Sequence, residues 1–104
     1  MEGYRHVMIA HGDGNKSIVP TEFGWAVSDN PQAGYEYARD NTYTEQAQWI
    51  TTAYQWGKNT GWVGPMILWN LDYGVTAPGT ELSNFSLLRN GPTPAYTAIA
   101  NMPK

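Results

Sequence analysis

A long helix set between two short apolar runs constrains this chain more than any other feature. Thr42 and Glu45 have the spacing of a capping box, in which each side chain satisfies a free backbone N–H of the other. Beyond them Tyr43, Ala47, Ile50, Tyr54 and Gly57 trace one helical face, widened by Trp49, Ala53 and Trp56. The stretch from Gly57 to Gly61 supplies the stop. Upstream, residues 17–23 (Ser17-Ile18-Val19-Pro20-Thr21-Glu22-Phe23) read as a strand bounded by turn residues. Downstream, residues 64–70 contain the continuously apolar run Met66 to Trp69, the pattern of a strand buried on both faces. Strand, crossover helix, strand is a βαβ unit, which predicts an α/β fold. Pro20 works against this pattern, because proline cannot donate a ladder hydrogen bond.

The remaining segments extend the same reading. Tyr4, Val7, Met8 and His11 share one face of a short first helix, which Gly12-Asp13-Gly14-Asn15 ends. Residues 28–41 form a polar loop, and residues 71–82 a second loop carrying Gly74, Pro78 and Gly79. Thr93 caps a last helix with Pro94 at its first position, running to about Met102. No internal repeat or linker divides the 104 residues, so they are expected to form one unit.

Composition excludes several classes. Six Lys and Arg against nine Asp and Glu give a net charge of −3 with no basic stripe, which argues against nucleic acid as a partner. No apolar run approaches the 18 residues of a membrane span. Without cysteine there is neither disulfide nor thiolate metal site, and no His-Glu-x-x-His spacing occurs, so neither metal nor cofactor is expected. Five Trp and seven Tyr can fill a core or offer flat platforms for sugar rings.

Chemistry gathers at the ends of the two runs. Glu22 closes the first, and Trp69-Asn70 closes the second. In parallel βα arrangements the C-terminal strand ends form the active-site face. Glycoside hydrolysis uses two carboxyl groups flanking the scissile bond, and Glu22 is suited to be one. Periodicity alone leaves it open between a solvated or salt-bridged carboxylate and a catalytic one. No second carboxylate stands out: Glu36, Glu45 and Glu81 read as loop or helix-surface residues, and Asp29 and Asp72 carry no motif. His6 and His11, on the short first helix, read as surface or packing residues.

Three segments in register resemble a known group. Thr21-Glu22-Phe23-Gly24-Trp25 resembles the seventh-strand motif of retaining barrel glycosidases of clan A, the family 5 cellulase-like and family 39 xylosidase-like enzymes. Met66-Ile67-Leu68-Trp69-Asn70 resembles their eighth strand, and the segment from Phe85 through Pro92-Thr93-Pro94-Ala95-Tyr96 resembles their closing stretch. The resemblance implies the C-terminal βαβα portion, from the end of helix six to helix eight, of a (β/α)8 TIM barrel, with residues 1–104 as its last quarter. A complete barrel takes about 250 residues. It further implies Glu22 as nucleophile, Trp69 and Asn70 (with Trp25) as substrate-binding residues, and a cis Trp69–Asn70 peptide. The substrate would be a carbohydrate and the remainder of the barrel a necessary partner. The family's acid/base glutamate belongs to an Asn-Glu motif after the fourth strand that is absent here, so the chain alone is expected to be inactive. Residues 1–6 lack a signal-peptide layout, which for a C-terminal piece leaves localisation open. The alternative expectation is a small non-catalytic carbohydrate-binding module.

Overall fold

Side-chain caps set the start of the two helices that build the core. The computed structural model describes residues 1–103. Helix α1 spans Glu2–Ala10, α2 Tyr43–Thr60, α3 Glu81–Asn84 and α4 Pro94–Asn101, with a 3-10 turn at Glu36–Arg39. At the start of α2 both halves of the capping box form. Glu45 N–H donates to Thr42 Oγ1 at 3.2 Å, and Thr42 N–H donates to Glu45 Oε2 at 2.8 Å. Gly57 does not stop α2. The helix runs on to Thr60, and Gly61 takes the left-handed conformation at φ 71° that ends it. At Gly57 the missing side chain serves packing, since a Cβ there would collide with the Met66 sulfur. Thr93 caps α4 by accepting from Tyr96 N–H, with Pro94 in the first turn.

The small core lies between α2 and α4. Ala47 and Ile50 from α2 meet Leu87 and Ala95, with Phe23, Trp25, Tyr54, Leu68, Ala98 and Ile99 packed around them. Gln46 is also fully buried, its Nε2 donating to the Trp25 carbonyl at 2.7 Å. That bond ties α2 to the segment carrying the Glu-Phe-Gly-Trp motif. The Arg89 guanidinium crosses the fold to the Val27 carbonyl and the Tyr43 hydroxyl, both at 2.7 Å, and so pins the loop after residue 88 to the start of α2.

The α/β expectation fails. The described residues are 42% helix and 6% strand with no sheet among them, unlike the βαβα portion of a TIM barrel. The two apolar runs lie side by side in parallel but meet at only two isolated bridges, Ile18 with Val63 and Phe23 with Leu68. At the first, Ile18 N–H donates to Trp62 O at 3.1 Å and Gly64 N–H to Ile18 O at 2.8 Å. At the second, Phe23 N–H donates to Ile67 O at 3.2 Å and Trp69 N–H to Phe23 O at 2.8 Å. Regular alternation would place Pro20 opposite Pro65, where Pro20 has no N–H to give. Instead Pro20 O accepts from Ile67 N–H at 2.9 Å, and the pairing resumes on Phe23 after a break. The missing Pro20 N–H thus interrupts the ladder in its middle. Val19 and Ile67, at this break, remain about half exposed, so the second run is not buried on both faces either.

Candidate functional site

The second bridge fixes the geometry that matters for chemistry. Its hydrogen bonds hold Phe23 against Leu68, which sets Glu22 and Gly24 beside Trp69. Gly24 is required at this approach. A Cβ on it would run into the Trp69 carbonyl oxygen and lie 3.4 Å from Cδ1 of Phe85. The result is an open cleft of about 220 Å³ lined by Glu22, Phe23, Gly24, Trp69, Glu81 and Phe85.

Glu22 is exposed, and among the described residues no hydrogen bond or ion pair engages its carboxylate. A carboxylate left free at the mouth of a cleft is available to a ligand. Trp69 is half-buried and lies 5.5 Å from Tyr73, ring centroid to centroid, with the planes tilted by 33°. Of the two rings only Trp69 lines the cleft next to Glu22. The Trp69–Asn70 peptide is cis.

Asn70 and Trp25 stand elsewhere. Asn70 is 5% exposed, and both ends of its amide are engaged. Its Nδ2 donates to Leu82 O at 2.8 Å and its Oδ1 accepts from Ser86 Oγ at 2.7 Å. It therefore braces the end of the second run against α3 and the segment that follows. Trp25 packs inward, edge-on to Phe23 at 6.4 Å and tilted against Trp49 at 5.8 Å, on the α2 side. Of the four residues singled out from sequence, Glu22 and Trp69 share the cleft, while Asn70 and Trp25 shape its support.

Glu81 is the residue that sequence reading passed over. It lies 59 positions from Glu22 in the chain, at the start of α3, yet lines the same cleft. Its Oε1 accepts from the Tyr37 hydroxyl at 3.4 Å, and its backbone N–H donates to Gln32 Oε1 at 3.4 Å. Burial, and then the nearby Glu81 charge, push the Tyr37 hydroxyl above its ordinary pKa, so it stays protonated and donates. No periodicity or motif marks Glu81, because only the folding of the loop 71–82 onto the loop 28–41 brings it there.

The other acidic residues serve locally. Glu45 belongs to the helix cap, and Glu36 accepts from Gly34 N–H at 3.0 Å. Asp72 accepts from Val75 N–H at 3.4 Å. His6 lines a groove with Trp62 and Arg5, beside the first bridge. Among the described residues no group of three or more His, Asp or Glu could hold a metal ion. A larger groove, about 390 Å³, lies between α2 and α4, but its lining (Tyr54, Val63, Met66, Ile99, Met102 and neighbours) is mostly apolar, with Lys58 at its edge, and carries no carboxylate. Comparison with protein-family models, with curated proteins and with solved structures finds no match for this chain.

Proposed function

We propose that this chain carries the nucleophile half of a retaining glycosidase site, with Glu22 as nucleophile and Trp69 as the stacking surface for the sugar. The observation that carries the reading is the cleft that sets a free, exposed carboxylate beside Trp69. In a retaining mechanism the ionised Glu22 carboxylate attacks the anomeric carbon, and the bond to the leaving oxygen breaks. A second carboxyl group protonates that oxygen and then activates water, standing roughly 5 to 5.5 Å from the first. That group is assigned to polypeptide outside these residues, so the isolated chain lacks general acid–base help worth typically about 10²- to 10⁴-fold. No cofactor or metal enters this scheme.

An activated substrate tests the nucleophile without the missing acid. A 2,4-dinitrophenyl 2-deoxy-2-fluoroglycoside has a leaving group that departs unprotonated. Attack forms the Glu22 Oε–C1 bond, breaks the C1–O bond and releases dinitrophenolate. Peptide mass mapping of the chain, treated with the gluco, xylo and manno reagents, is expected to place a fluoroglycosyl adduct on Glu22. No adduct, or one that persists in Glu22→Gln, overturns the assignment. Robust Glu22-dependent hydrolysis of ordinary aryl glycosides would overturn the dependence on an outside acid.

The same Trp69 ring in the cleft favours a second reading, a non-catalytic sugar-binding module. It predicts glycan binding that Glu22→Gln leaves intact, together with no adduct on Glu22.

A further inference from the structure

Two carboxylates, not one, line the cleft with Trp69, and they come from segments far apart in the sequence. We infer that Glu81 is a substrate-contact residue that fixes the charge class of the ligand: a neutral sugar, whose hydroxyls donate to Glu81, with uronates excluded. The inference rests on the reading of the cleft as a glycan site.

Three features support it. First, Glu81 is positioned. Tyr37 Oη donates to one carboxylate oxygen, and Gln32 accepts from the Glu81 backbone N–H. The other carboxylate oxygen, Oε2, has no hydrogen bond among the described residues. A carboxylate is acceptor-only when ionised, and sugar hydroxyls are the donors it can take from a neutral ligand. Second, no cation lines the cleft to offset the pair. Among the described residues the positive side chains are committed elsewhere. Arg5 bonds the Gly14 and Lys16 carbonyls, Lys16 pairs with Asp13, Arg39 reaches Asp29 O, Arg89 is held by Val27 O and Tyr43, and Lys58 lines the apolar groove. A uronate would therefore meet Glu22 and Glu81 with no counter-charge, and like charges at short range repel. Third, Trp69 beside them supplies the flat apolar surface on which a sugar ring packs.

The test is an NMR titration of the 104-residue chain, following the Trp69 indole N–H. The probes are xylohexaose, cellohexaose, mannohexaose and hexagalacturonate. Wild type is expected to bind at least one neutral hexamer and to exclude the uronate. Glu81→Gln keeps the shape but halves the acceptor character and removes the charge. It should weaken neutral binding roughly tenfold, the scale of one hydrogen bond to a charged acceptor, and should admit the uronate. Tyr37→Phe, which frees Glu81 to turn, should weaken neutral binding less and leave the uronate excluded. A structural role for Glu81 would not reverse the charge selectivity. A second measurement needs no variant: exclusion of the uronate by wild type should relax as salt rises from about 0.01 to about 1 M, where the Debye length falls from about 30 to about 3 Å. Neutral binding that responds to Trp69→Ala but not to Glu81→Gln, with the uronate still excluded, overturns the Glu81 inference alone. No shift with any neutral hexamer, or equal binding by Trp69→Ala, overturns the glycan reading and this inference with it.

Discussion

Helices α1 and α4 are nearly the same length, yet one builds the core and the other does not. In α4 Ala95 is fully buried, and Ala98 and Ile99 pack against α2. In α1 no residue is buried, and Tyr4, Val7 and Ile9 are 76%, 58% and 56% exposed. Both helices have apolar residues at helical spacing. What separates them is a partner surface: α4 docks on the face of α2 that carries Ala47 and Ile50, while α1 lies beside Trp62 and the turn from Gly14 to Lys16 and buries none of its residues. An amphipathic pattern therefore marks a face able to be buried, and only the neighbouring elements determine whether it is. The overall dimensions agree. The radius of gyration is 15.5 Å, against about 13 Å for a compact domain of roughly 100 residues.

The difference between the two halves can be broken at its centre. Ile50 is 1% exposed and sits where α2 meets Leu87 and Ala95. Ile50→Ala is expected to cost about 2–5 kcal/mol, the range for emptying a packed site. Because small domains hold only about 5–15 kcal/mol in total, urea unfolding should show a large drop in midpoint. A loss under 1 kcal/mol would mean that the α2–α4 contact is not the core. Gly24→Ala comes next. The new methyl meets backbone, the Trp69 carbonyl, and cannot be accommodated by a side-chain rotation. Overpacking of this kind costs about 1–3 kcal/mol, and here it should also shift the Trp69 indole resonance, since the two cleft walls are forced apart.

One substitution made in both helices sharpens the contrast. Ile99→Ala should cost clearly more than Ile9→Ala, because Ile99 packs on the core and Ile9 is mostly exposed. The exposed change should stay within about 0.5 kcal/mol. Equal effects would show that α1 is packed after all. The smallest effect belongs to the cap of α2. The Thr42 hydroxyl first, and then its backbone N–H, hold the Glu45 pKa below its ordinary value. The stabilisation from the ionised Glu45 is thus full above the ordinary carboxylate pKa and is lost as the pH falls through the lowered one. The difference in melting temperature between wild type and Glu45→Gln should be constant near neutral pH and shrink below about pH 4.3. A gap that grew on acidification would exclude the capping contact as its source.

The candidate site was legible in part for the same reason as the fold. Glu22 and Trp69 follow from the ends of two apolar runs that pair in parallel at Phe23 and Leu68, so reading both as run ends placed them side by side. Asn70 occupies an equally suggestive position, but its amide is consumed by Leu82 O and Ser86 Oγ, partners 12 and 16 residues away. Glu81 was invisible as a site residue because α3 has no apolar periodicity and reaches the cleft only through the contacts of its loop with Tyr37 and Gln32. Pro20 was noticed as a fault in the first strand. Its effect is larger than one edge, because the bond it cannot give leaves Pro20 O to pair with Ile67 N–H and the ladder resumes only at Phe23.

The sequence by itself determined the starts of α2 and α4 and the ends of α1 and α2. Thr42 with Glu45, Thr93 with Pro94, and the positive-φ glycines Gly12 and Gly61 act through hydrogen bonds and backbone freedom within a few residues, so no distant contact can override them. Only the tertiary structure decided that the apolar runs form two bridges instead of a sheet, that α1 stays uncovered while α4 is buried, and that Glu81 joins Glu22 beside Trp69. Each of these depends on which backbone donors, faces and side chains meet across tens of residues. Local propensity carries no information about those meetings.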